Sequence, residues 1–500
     1  MNRRLVGLFC LSLLALFPIC AWAQAPIPAH PKPAAAQAPI PAATAVAQKL
    51  FDTFPVSTHS EEARKLVETA IDQYENYLDH AVDTARKAAA KDSQFALAYA
   101  VWSLAAHRKV PAPAALLRAE ALAPHATPEE KLLVGWMASV QKSNTLPAIA
   151  ATNELLARYP EEKHVLLLTA RWLQSQQDYD RSRNLLEKSL NVDPDFAPAL
   201  NELAYVYMEA DQPDSAKAIA LLRHYAAIQP NQPNPEDSLG ELLRISGDDT
   251  GSLQHYSAAL KIDPGFFSSQ LGLGDTYALM GNYSRARAEY DKAIAIATNQ
   301  RDRFDAETQK VLVYFWEGHA SEARNSLDAL RARARAAAES YGQFEIGFSR
   351  ALLAEDSADE LAQLKSLDSF LRATPPGMTE ADRNASVSVL WREKARAEAL
   401  AGHTNAADQA VRQLSELATH THDLGIKNTY ESARGYVLFA KGDFAGAAEA
   451  FSADEHDPLV LRQLILAQEK LGNSAAAGAA RSRLRYHRAP SLEWFLASQP

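Results

Sequence analysis

The residues best suited to do chemistry are His420-Thr421-His422-Asp423, a run rich in metal-ligand side chains. On a helix, residues two apart point about 200° away from each other, and this run ends a helical segment just before Gly425, where histidine complements the helix dipole. A metal site is therefore not expected. Arg331, Arg333 and Arg335 in RARARAAA are the densest cationic run. With Glu339 beside them and no aromatics between them, they read as a solvated helix face and not as a nucleic-acid patch. Leu271-Gly272-Leu273-Gly274 has glycines two apart, but no strand precedes them and no third glycine follows at phosphate-loop spacing. The sequence has no nucleophile elbow, no HExxH pair and no Walker lysine, so we expect no enzymatic activity, no cofactor and no metal.

Composition points the same way. Of 500 residues, 51 are Lys or Arg and 61 are Asp or Glu, for a formal charge of −10, which argues against nucleic acid or anionic lipid as partners. Arg3 and Arg4, an apolar run from Leu5 to Ile19, and Ala21-Trp22-Ala23 have the anatomy of a secretory signal, residues 1–23. Its apolar run is shorter than a membrane span, so cleavage after Ala23 is favoured over an uncleaved membrane tether, leaving no span in the mature chain. Pro18-Ile19 is a poor approach for lipoprotein processing at Cys20. Cys10 and Cys20 both lie in this leader, so the mature chain has no disulfide framework, and losing the leader's two arginines takes its charge to −12. The expected location is periplasmic or secreted. Residues 24–57, with prolines at 26, 28, 31, 33, 39 and 41, read as an extended tether.

From residue 58 the texture is alanine, leucine and charge at helical spacing, with turn signals and no alternating strand pattern, so the body is expected to be all-α. Pro160, Pro194, Pro230 and Pro264 recur at spacings of 34, 36 and 34 residues. Shifting Leu271–Ala297 back by 34 residues lays Leu273 on Leu239, Gly274 on Gly240, Ala286 on Ser252, Tyr290 on Tyr256 and Ala293 on Ala259. Small residues at such places let two helices approach, and Tyr277, Tyr256 and Tyr290 fill the space beside them. Gly281-Asn282 supplies the turn between the helices.

Leu273-Gly274-x2-Tyr277 followed by Ala286-x3-Tyr290, with Pro264 closing the preceding unit, resembles the tetratricopeptide repeat signature. Gln270 replaces its tryptophan and Thr298 its closing proline. The resemblance implies an α-solenoid, a right-handed superhelix of about a dozen helix-turn-helix pairs. We assign residues 58–373 to the solenoid, clearest over 163–298, residues 374–488 to degenerate repeats, and residues 489–500 to a capping segment. Thr374–Asp382 is the most obvious interruption, either a divide or a long loop, and Pro111 and Pro113 interrupt the stretch before Ala123.

The resemblance also implies a partner, since the first helix of each pair lines a concave groove. In register, Arg171, Gln174, Asn201, Tyr205, Met208, Asp237, Glu241, Arg244 and Asp275 face a protein or peptide there, with His164, Leu167 and Leu271 beside them. The family's carboxylate clamp is not matched, because Leu167, Arg171, Asn201 and Tyr205 occupy the corresponding places. The expected function is an exported scaffold for protein interaction in the cell envelope. The alternatives are self-assembly through the array's ends, including Trp494 and Phe495, and a metal-dependent or hydrolytic activity at His420–Asp423.

Overall fold

At Gln177-Asp178, Gly247-Asp248, Gly281-Asn282 and Gly442-Asp443 the turn between paired helices is built the same way. A residue with positive φ, such as Gly281 at 73° or Gly442 at 82°, reverses the first helix, and the Asp or Asn after it caps the second. Asp178, Asp214, Asp248, Asn282 and Asp443 each accept a hydrogen bond from the backbone N–H three residues on. Gln177 takes the left-handed conformation at φ 59° without being glycine. At the far end of the pair, Pro160, Pro194, Pro230 and Pro264 each come directly after a C-capping residue and prevent the helix from continuing.

The computed structural model describes residues 54–78, 80–106, 112–142, 144–209, 213–421 and 423–499. The leader, His422 and all but the last four tether residues lie outside the described residues. Within them the chain is helical and forms twelve successive pairs: α1 (Glu61–Glu75) with α2 (Ala81–Lys91), α3 (Ala96–Ala106) with α4 (Pro113–Leu122), α5 (Pro128–Gln141) with α6 (Thr145–Arg158), α7 (Lys163–Ser175) with α8 (Tyr179–Val192), α9 (Ala197–Glu209) with α10 (Ser215–Ile228), and α11 (Pro233–Ser246) with α12 (Asp249–Ile262). The array continues with α13 (Phe267–Leu279) and α14 (Tyr283–Ile296), α15 (Gln300–Trp316) and α16 (Ala320–Ala336), α17 (Ser340–Leu352) and α18 (Ser357–Arg372), α19 (Glu380–Leu400) and α20 (Thr404–Thr421), α21 (Leu424–Ala440) and α22 (Phe444–Phe451), and α23 (Pro458–Lys470) and α24 (Ser474–Arg485). A last short helix, α25 (Leu492–Ser498), follows. The chain is thus an all-α solenoid of helix-turn-helix pairs.

Glycine and alanine set the spacing of the stack. A Cβ on Gly240 would lie 2.8 Å from the Tyr256 ring, one on Gly272 2.3 Å from the same ring, and one on Gly274 2.5 Å from Tyr290. Tyr256 therefore wedges between the first helix of its own pair and that of the next, while Ala286, Tyr290 and Ala293 are fully buried. Tyr277 is less enclosed and lies under the Arg285 guanidinium at the rim. The core is accordingly a chain of clusters, each shared by neighbouring pairs, as stacking requires.

The structure bears on three places where the sequence suggested a boundary or an interruption. The ordered body includes Phe54, fully buried against Tyr159, and Ser57, whose N–H donates to Glu130 Oε2 at 2.7 Å. The folded body therefore includes residues 54–57, because the apolar ring of Phe54 reaches the first core cluster. Pro113 starts α4 at the first turn, where its missing N–H has no helical partner to lose, and so does not interrupt a helix. Across Thr374–Asp382, Leu364 and Leu367 share one cluster with Val389 and Leu390, and Tyr341 donates to Asp382 at 2.6 Å, so packing is continuous over the loop. Below it lies a buried ionic network in which Arg396 pairs with Glu360 and Glu393, and Arg392 with Asp454 and Asp457.

Candidate functional site

The first helices α7, α9, α11 and α13 stand side by side, and polar residues along them stitch each to its neighbour. Arg171 Nε donates to Glu202 Oε1 at 3.0 Å, and Gln174 Nε2 to Glu202 Oε2 at 3.2 Å. Ser238 Oγ donates to Asn201 Oδ1 at 3.0 Å, Tyr205 to Glu241 at 2.7 Å, and Ser269 Oγ to Asp237 Oδ1 at 2.6 Å. Asp275 turns to its own pair and accepts from the Tyr290 hydroxyl at 2.9 Å. The first pair also reaches in: Arg171 Nη2 donates to the Glu75 carbonyl at 2.5 Å, His164 meets Glu75 at 2.7 Å, and Tyr77 donates to Glu202.

This corrects the open face expected from register. Asn201, Asp237, Arg244 and Asp275 are buried, as are Met208, Leu167 and Leu271. Arg171, Gln174, Tyr205 and Glu241 are half-buried. The register places all of them on first helices but cannot distinguish a side chain aimed into the groove from one aimed at the next first helix about 35 residues on. A polar side chain aimed at the seam buries with a partner, because an unpaired one is penalised. Glu202, the hub of the ladder, gave no signal in sequence beyond being an acid in the middle of a mostly apolar helix.

A second set of contacts crosses the whole array. The Thr145 hydroxyl donates to the Thr421 carbonyl at 3.1 Å, Asn428 pairs with Gln177, Glu209 meets His456 at 3.4 Å, and Asp249 meets Arg488 at 2.6 Å. Each joins a pair to the chain six or seven pairs later, so the turns of the third to sixth pairs run against the C-terminal pairs. His487 sits in this seam near Glu209, and burial pushes its imidazole down to about 4.

The other sequence candidates are dispersed. His420 Nδ1 is hydrogen-bonded to the Glu416 carbonyl, while Asp423 caps α21 by accepting from Ile426 N–H. Among the described residues no three His, Cys, Asp or Glu side chains gather as a metal site would require. Arg333 pairs with Glu307 at 3.0 Å at an exposed position and Arg335 is exposed, while Arg331 lies against Gly347, so the run is largely a solvated helix face with Arg331 packed on a neighbouring helix. None of the described helices is long and apolar enough to cross a membrane.

Tetratricopeptide repeat models match residues 173–235 and 267–300. A stretch of 128 residues is 25% identical to a UDP-N-acetylglucosamine--peptide N-acetylglucosaminyltransferase of Giardia intestinalis; it covers 25% of this chain and only 8% of that protein's length. Among solved structures, MamA is similar at TM-score 0.28 and 19% identity over 34% of this chain and 96% of its own. Yeast Tom70 is similar at TM-score 0.42 and 12% identity over 85% and 96%. Repeats of this kind build scaffolds for protein–protein interaction. The 34-residue recurrence, the twelve stacked pairs and the two matching segments together make this chain a tetratricopeptide repeat protein.

Proposed function

We propose that the protein is an exported, non-catalytic scaffold of the cell envelope that binds a peptide or folded partner along its first helices, with residues 24–53 giving it reach. The observation that carries this reading is the continuous row of first helices, whose polar ladder fixes a rigid surface and spends its charged groups on structure and not on a reacting centre. The leader anatomy and acidic balance support export and a protein partner.

Crosslinked affinity capture from the envelope fraction, with the chain from residue 24 as bait, tests the proposal. It expects a defined protein crosslinked to first-helix peptides. Capture of nothing above a scrambled-sequence control, or turnover of a substrate by the purified chain, would overturn it.

A further inference from the structure

The segment after the last pair does not simply cover the end of the array. It runs back across first helices six, four and three pairs earlier. Tyr486 packs on the cluster that contains Met208, Leu239 and Leu242. Arg488 grips Asp249 with two hydrogen bonds at 2.6 and 2.9 Å, and it exchanges backbone contacts with Arg244: Arg488 Nη1 to the Arg244 carbonyl at 2.7 Å, Arg244 Nη1 to the Arg488 carbonyl at 3.2 Å. Leu492 and Leu496 then enter the cluster of Phe304, Leu312 and Phe344, and the Phe495 ring meets Phe315 edge-on at 5.4 Å.

Met208 and Arg244 are two of the positions that register assigned to a partner, and here this chain's own tail touches the cluster of one and the guanidinium of the other. The surface offers a carboxylate for a guanidinium and, farther along, an apolar socket for one turn of helix, which is how an amphipathic segment is recognised in a groove. The segment follows the last helix pair, so its release breaks no connection between helix pairs.

We infer that this surface on α11, α12, α15, α17 and α23, where Arg462 donates to the Leu496 carbonyl at 2.7 Å, is a docking site for a peptide with an arginine followed, four residues on, by a helical turn presenting Leu-x2-Phe-Leu. Its resident occupant is the chain's own Tyr486–Ser498, which an external segment of that chemistry displaces. The inference rests on the first-helix reading above and adds to it the chemistry of the partner.

The test is a fluorescence titration of a labelled peptide copying residues 486–499 (YHRAPSLEWFLASQ) into the full chain from residue 24. Wild type should bind it weakly, because the tail competes. The R488A/F495A variant should bind at least ten-fold more tightly with an unchanged helical circular dichroism signal. Adding Asp249→Arg to that variant should remove binding of the arginine peptide, and a peptide carrying Asp at that arginine should restore it. No gain in the opened variant, or indifference to the charge exchange, would overturn the inference. If the double variant loses helical signal, R488A alone must show a smaller gain in the same direction, and its absence counts equally against the inference. A wild-type dimer in solution that the peptide dissociates would assign the occupant to a second copy and refute the intramolecular latch. Envelope capture by the wild-type chain is measured separately, so failure of the peptide leaves the scaffold reading standing, and failure of capture leaves the peptide result intact.

Discussion

Replacing Gly274 by alanine pits two effects of known sign against each other. Alanine in a helix interior gains about 0.5–1 kcal/mol over glycine. Against that, the new Cβ would stand 2.5 Å from Tyr290 Cε1, where ordinary contact needs 3.4–4 Å, so the ring must retreat by roughly 1 Å. Tyr290 is fully buried and its hydroxyl is held by Asp275, so it has nowhere easy to go. Overpacking of this kind costs about 1–3 kcal/mol. The balance is a loss of about 1 kcal/mol, or roughly five-fold in the local opening equilibrium, read as faster amide hydrogen exchange across α13 and α14. Gly135→Ala and Gly478→Ala, where a Cβ meets nothing within 4 Å, should instead stabilise by about 0.5–1 kcal/mol. In a Tyr290→Leu background the Gly274→Ala penalty should vanish. If Gly274→Ala slows exchange as the two open positions do, the close-approach account of the repeat is wrong.

Three further outcomes are expected. Arg396→Met leaves the buried Glu360 carboxylate without its guanidinium and takes a donor from Glu393, and should lower stability by about 3 kcal/mol by urea denaturation, far more than loss of a surface pair. Glu202→Ala removes the acceptor of Arg171 and Gln174 and should cost about 3 kcal/mol, felt first as loss of protection in α7 and α9. Burial pushes the Glu393 and Glu493 carboxyls up to about 8 and Glu345 to about 7, from an ordinary 4.5. The folded chain therefore holds protons that the unfolded chain has released. Stability should fall as pH rises from about 6.5 to 8, with His487 acting in the opposite sense only below that window. Melting temperatures across that range check the sign, and Glu393→Gln should flatten the slope.

The repeat was legible because its physics is local. Proline after the C-cap, an Asp or Asn N-cap after a left-handed residue, and small-opposite-aromatic packing all fall within one or two pairs, so spacing alone exposed them at Pro264, Asn282 and Gly274. Which first-helix residues are free was not legible. Arg171 and Glu202 stand 31 residues apart, and the choice between seam and groove depends on superhelical rotation, which no single repeat encodes. The closure of Arg488 on Asp249, 239 residues away, was further out of reach, because nothing in APSLEWFLASQP announces which earlier helix it will meet. Read from sequence, residues 489–500 cap the last pair or join copies; the structure seats them on the last pair, where Arg462 donates to the Leu496 carbonyl, and also sets Phe495 against Phe315 and Trp316, four pairs back.

The claim that partners dock on the first helices is tested most directly by site-resolved photocrosslinking in the envelope fraction. A photoreactive residue would replace the half-buried Gln174 or Tyr205 on first helices, or the exposed Lys188 on the second helix α8. Partner adducts are expected from positions 174 and 205 and none from 188; adducts from 188 alone would contradict docking on the first helices.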